Sequence, residues 1–118
     1  MPTWKTEAEK EIQLGLEERA RGMEGRARVR ARRAAGHIVG EYFRRTGFPD
    51  PGPNAYERLN LLLAIPTIPP EARTAARYLT MKVNMQYQLP PGVDLFTETQ
   101  RLTQALLGET LAPLPPVE

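Results

Sequence analysis

Apolar residues recur every three or four positions along most of this chain, and clusters of proline and glycine interrupt the recurrence. Trp4, Ala8, Ile12, Leu16 and Ala20 fall four apart, which draws one slowly drifting stripe on a helix. The spacing predicts a first helix from Trp4 to Arg21. Gly22 and Gly25 then bracket an expected turn, with one uninterrupted helix as the alternative. The next segment, Arg26 to Arg45, is apolar on two faces. Ala27, Ala31, Ala34, Ala35, Ile38 and Tyr42 share one face at helical spacing, Val29, Gly36, Gly40 and Phe43 share the opposite one, and arginines occupy the flanks. A helix apolar front and back is a central helix. Glycine inside a helix costs about 1 kcal/mol against alanine, so Gly36 and Gly40 imply a close neighbour. That neighbour is either another helix of the same chain or a second copy. In the second case Val29, Gly36, Gly40 and Phe43 form the seam of a homodimer or higher oligomer.

Three shorter segments follow. Asn54 with Glu57 three residues later is a capping-box pattern, and Tyr56, Leu59, Leu62 and Leu63 give the third helix its expected apolar face before Pro66 ends it. Pro69, Pro70 and Glu71 open a fourth helix, with proline in the first turn and an acid at the positive end of the dipole. Its stripe is Ala72, Ala75, Ala76, Leu79 and Val83. Asp94 caps a fifth, Leu95, Leu102, Ala105 and Leu106 point inward, and Gly108 closes it. No segment alternates as a strand does. The fold class expected is therefore all-α, an up-and-down bundle of about five helices. One domain covers residues 1–110, and a proline-rich tail over 111–118 is expected to be disordered or draped on the surface.

Length agrees with one domain: 118 residues bury about two-thirds of their unfolded surface, enough for a single core. The chain has no cysteine and no serine and holds one histidine, His37. Disulfides, thiolate metal sites, thiol catalysis and serine nucleophiles are thereby excluded. His37 has only Glu41 at ligand spacing, two donors where a stable metal site needs three or four, so no metal is expected. The glycines match no phosphate-cradling loop, and no cofactor is expected. No apolar run approaches membrane-spanning length, and the N-terminal residues lack the apolar core of a signal peptide. A cytoplasmic location without membrane contact is the expectation.

Charge is unevenly distributed along the chain. The net charge is +2, yet residues 19–45 hold nine arginines against two glutamates, while residues 1–18 hold five glutamates against two lysines. Thirteen of the sixteen bases are arginine, which pairs bidentately with carboxylate and phosphate alike. Arg26, Arg28, Arg30, Arg32 and Arg33 are thus either a face paired with acidic neighbours or a contact for nucleic acid or phosphate. Arg77, Lys82 and Asn84, at the end of the fourth helix, are a second candidate for phosphate contact, or simply helix-end bases meeting carbonyls and solvent.

Taken in order, the helix from Trp4, the small-residue helix Glu24 to Ala35, the glycine-ended stretch Tyr42 to Gly47 and the Leu89-Pro-Pro-Gly-Val-Asp94 link resemble the HEPN family (higher eukaryotes and prokaryotes nucleotide-binding) over nearly the whole chain. The resemblance implies a self-associating helical bundle. Many members of that family are ribonucleases of toxin–antitoxin or defence systems, and others partner a small nucleotidyltransferase. The ribonucleases carry an arginine, then four to six residues, then a histidine, at the start of or within a late helix. Arg77 matches the arginine, but the corresponding later positions are Lys82, Val83 and Asn84, and none replaces imidazole as a base near neutral pH. The reading is a degenerate, non-catalytic HEPN-like module that acts by self-association or by binding a partner protein. The alternatives are an RNA- or nucleotide-binding module using the arginine-rich flank, and a diverged ribonuclease.

Overall fold

The computed structural model describes residues 3–81 and 89–112. Over them the chain folds into five α-helices, α1 (Trp4–Ala20), α2 (Glu24–Thr46), α3 (Ala55–Leu63), α4 (Pro70–Thr80) and α5 (Leu95–Leu107), with no strand among the described residues. This is the expected all-α bundle.

Local chemistry sets the helix ends. Thr3 caps α1 by accepting from the Thr6 N–H, Asn54 caps α3 by accepting from the Glu57 N–H, and Asp94 caps α5 by accepting from the Phe96 N–H. Gly47 and Gly108 end α2 and α5 in the left-handed conformation. The turn after α1 is sharper than the two-glycine expectation. The Gly22 N–H donates to the Arg19 carbonyl at 2.9 Å and the Met23 N–H to the Glu18 carbonyl at 2.8 Å, the paired bonds of a Schellman turn. Gly22, at φ 78°, supplies the left-handed residue that this turn needs. Gly25 is not part of the turn. It lies in the first turn of α2, which starts at Glu24.

α1 and α2 form an antiparallel hairpin, and α2 packs on α3, α4 and α5 as well. A 23-residue helix is about 34 Å long, which lets α2 serve as the spine against which the shorter helices close. Its alanine face, Ala27, Ala31, Ala34, Ala35 and Ile38, is wholly buried. The core continues through Phe43 of α2, Leu59 and Leu62 of α3, Leu79 of α4, and Leu95 and Leu102 of α5. Small side chains on α2 let neighbouring axes approach, while leucines on the shorter helices fill the remaining volume.

The opposite face of α2 differs along its length. A Cβ placed on Gly36 would lie 2.9 Å from the Ala55 Cβ and 3.1 Å from its Cα, so the start of α3 crosses α2 there, almost backbone to backbone. A Cβ on Gly40 would meet the Arg58 guanidinium at 2.7 Å. Phe43 has no exposed surface, whereas Val29 is 44% exposed. Three of the four residues of the expected seam are therefore covered within the chain, and Val29 alone among them offers substantial surface to a second molecule.

The tail expectation needs correcting at its start. Leu111 is wholly buried, its N–H donates to Gln100 Oε1 at 3.0 Å, and its carbonyl accepts from Gln100 Nε2 at 2.7 Å. The Ala112 N–H donates to Glu9 of α1 at 2.8 Å. Packed structure thus runs through Ala112, because a buried leucine with both backbone groups satisfied belongs to the core. Residues 113–118 lie outside the described residues.

Candidate functional site

The arginines of α2 divide between its two flanks, because residues one or two apart on a helix face different directions. On the α1 side, Arg30 donates to Glu18 at 3.0 Å and to Glu11 at 3.2 Å. Two glutamates of the acidic first segment therefore neutralise one arginine of the basic second segment, and the uneven charge distribution is in part hairpin glue. On the other flank, Arg32 donates to the Leu79 carbonyl at 2.9 Å and to the Met81 carbonyl at 3.4 Å, satisfying acceptors freed where α4 ends. Its guanidinium also lies 5.5 Å from the centre of the Tyr56 ring. Arg28 sits 3.8 Å from Glu24, one turn before it.

Arginines elsewhere in the chain are engaged in the same way. Arg19 makes two bonds to Glu24, at 2.9 and 2.8 Å, and one to Asp94 at 2.8 Å, and lies 4.6 Å from the centre of the Phe96 ring. One side chain thereby joins the end of α1, the start of α2 and the cap of α5. Burial raises the Asp94 carboxyl, but the hydrogen bond and charge of Arg19 outweigh it, and the net shift is below the usual aspartate value. Arg58 bonds Asp50 at 2.6 and 3.0 Å and the Gly36 carbonyl at 3.1 Å, fastening the proline loop to α2. Arg44 and Arg45 both pair with the buried Glu41, whose carboxyl is held down to about 2 mainly by the hydrogen bond from Arg44.

Two arginines of the expected contact have no carboxylate partner among the described residues. Arg33 is exposed and has no hydrogen bond or ion pair among the described residues, where Arg26 makes a single hydrogen bond, to the Met23 sulfur at 3.7 Å. Both lie on the flank that also carries the exposed Val29. Where the loop before α3 arrives, Val29, Arg32, Arg33 and His37 face Asn54 and Tyr56 across a crevice of about 420 Å³. A second depression of about 240 Å³, bordered by Glu18, Arg26 and Arg30, adjoins it, and the two share Val29 and Arg33 as walls. His37 is partly buried, and desolvation, opposed by Glu11 and Glu7, pulls its pKa below the ordinary histidine value, so it is neutral at pH 7. It brings a hydrogen-bonding ring to the crevice without a charge.

Of the residues expected to contact phosphate, the fold brings Arg32 and Arg33 to one crevice and Arg26 to the adjoining depression. It turns Arg30 toward α1 and gives Arg28 a place beside Glu24. Arg77 is exposed on α4 and does not border the crevice. Lys82 and Asn84 lie outside the described residues. Tyr56, expected on the buried face of α3, is 40% exposed and forms a crevice wall. Its place in the first turn of α3, directly after a proline-rich loop, was the one available signal that it stands clear of the core. His37 and Asn54 carry no sequence mark of a shared site, since one is central in α2 and the other is a cap.

Among the described residues no group of three or more histidine, aspartate or glutamate side chains is placed to hold a metal ion. No helix among them is long and apolar enough to cross a membrane. No family model matches this chain, and no curated protein and no solved structure matches it either.

Proposed function

We propose that this protein is a non-catalytic helical binding module, HEPN-like in the order of its helices, which acts in the cytoplasm by association with a partner protein or with a second copy of itself. One observation carries the reading. The flank of α2 that reaches the α3 crossing leaves Arg26 and Arg33 without a carboxylate partner among the described residues, around the exposed Val29 and Tyr56, while the other arginines of α2 have contacts within the chain. Exposed apolar side chains rimmed by unpaired cations are the composition of an interaction surface. A catalytic role has less support. His37, the one histidine, sits on α2 while Arg77 sits on α4, and nothing at the crevice pairs a nucleophile with a base. If the HEPN resemblance extends to partners, a small nucleotidyltransferase is the first candidate.

An RNA- or nucleotide-binding role is the second reading, favoured by Arg32, Arg33 and His37 lining one crevice. The test is photo-crosslinking of the full chain in its own cells, with a photoreactive phenylalanine analogue at position 29 and, as control, at the exposed Gln104 on α5. The expected result is a discrete protein adduct from position 29 only, at twice the chain mass for self-association or at another mass for a partner. No protein adduct from position 29, or equal adducts from both positions, would reject the module reading. A nucleic-acid adduct would select the second one.

A further inference from the structure

The adjoining depressions along α2 have a shape and a charge that define their occupant further than association in general. From Arg26 to His37 their α2 lining residues span eleven residue steps of helix, a length of about 16 Å. An extended peptide covers that distance with about five residues. The walls are shallow, since Val29 and Tyr56 are each exposed by two-fifths or more. A small metabolite is usually enclosed over most of its surface, so a linear ligand lying along the helix fits the form better. The lining alternates in kind along its length. Arg26 lies toward the α2 start, Val29 lies at the shared wall, Arg33 lies one turn beyond, and Tyr56 stands across the crevice. The one carboxylate of the lining, Glu18, is already held by Arg30 at 3.0 Å, so the free charge along the groove is positive.

Resting on the module reading above, we infer that this groove takes an extended acidic segment of a partner protein, with an aliphatic or aromatic side chain seated between Val29 and Tyr56 and carboxylates on either side meeting Arg26 and Arg33. Carboxylates are the complement of unpaired guanidinium groups, and the apolar anchor supplies the area that charge alone does not. Nucleic acid fits less well. Two free arginines neutralise only about two phosphates, where tight backbone binding uses several more. Val29 offers a hydrocarbon contact that a phosphate backbone does not use.

The test selects phage-displayed random peptides on the full-length chain and titrates the enriched peptides by fluorescence anisotropy, beside a labelled single-stranded uridine oligonucleotide. The expected enrichment is Asp or Glu bracketing Leu, Ile, Phe or Trp. Arg33→Glu and Val29→Asp should each weaken the selected peptides about tenfold or more, with unchanged circular dichroism, because both side chains are exposed. Arg77→Glu, outside the groove, should leave binding unchanged. A selection that enriches no acidic pattern, binding indifferent to Arg33→Glu, or tighter binding of the oligonucleotide than of the peptides would each overturn the assignment. A protein adduct from position 29 together with any of these results would leave the module standing and remove only the acidic segment.

Discussion

The crossing of α2 and α3 at Gly36 yields the sharpest prediction. Alanine at position 36 would put its Cβ 2.9 Å from the Ala55 Cβ and 3.1 Å from the Ala55 Cα. Carbon atoms in good contact sit about 3.5–4.0 Å apart, so the first turn of α3 must retreat by about 1 Å. The obstacle is backbone and a methyl group, not the flexible end of a long side chain, and overpacking of this kind costs about 1–3 kcal/mol. Alanine recovers about 1 kcal/mol of helix propensity over glycine, so Gly36→Ala should lose about 1 kcal/mol net. Gly25→Ala, in the same helix, is the internal control. Nothing lies within 4 Å of its Cβ, so propensity acts alone and the variant should gain about 0.5 kcal/mol. The two variants should therefore melt about 5–9 °C apart for a chain of this size, with Gly36→Ala the lower. Urea unfolding followed at 222 nm should shift in midpoint at constant slope. Adding Ala55→Gly to Gly36→Ala should recover stability beyond the sum of the single effects, as contacting residues do in a double-mutant cycle. Equal or greater stability of Gly36→Ala than of the parent, or strict additivity with Ala55→Gly, would refute the close crossing.

Three further outcomes are expected. Asn54→Ala removes the acceptor for the Glu57 N–H and should cost about 1 kcal/mol in chemical denaturation, with Asn54→Asp close to neutral. Arg19→Ala cuts the bonds to Glu24 and Asp94 together with the Phe96 contact; because the side chain is about one-third exposed, the loss should be about 1–2 kcal/mol, and hydrogen exchange should rise first at the start of α5. Glu41 is lowered from 4.5 to about 2 on folding, so its contribution is complete above pH 4.5 and is lost as pH falls toward 2. With Arg44 71% and Arg45 39% exposed, solvent screening holds that contribution to about 1 kcal/mol, and Glu41→Gln should flatten this part of the stability–pH curve; an unchanged slope in the variant would remove the assignment.

The groove's charge follows from what the rest of the bundle consumes. Arginine is abundant in α2, but the hairpin takes Arg30, the end of α4 takes Arg32, and Glu41 takes Arg44 and Arg45. A basic stretch twenty-seven residues long therefore leaves a narrow cationic strip beside Val29, and, if the proposed module reading holds, salt should weaken binding less steeply than the arginine count implies.

What could be read along the chain was what neighbours in sequence decide among themselves. Asn54 with Glu57, Asp94 ahead of α5, and the glycines at 47 and 108 set helix ends through bonds that span at most four residues. The apolar spacing on α2 marked it as the central helix for the same reason, since helical period is a property of consecutive residues. Tertiary structure alone decided the rest. Arg32 finds an acceptor at Leu79, forty-seven positions away, and Ala55 closes over Gly36 from another helix. Leu111 enters the core because Gln100 satisfies both its backbone groups. Which arginines stay free, and which glycine face is covered, depend on where separate helices come to rest against each other. Period and capping chemistry describe one helix at a time, and a site assembled from α2, α3 and the loop between them has no counterpart in either.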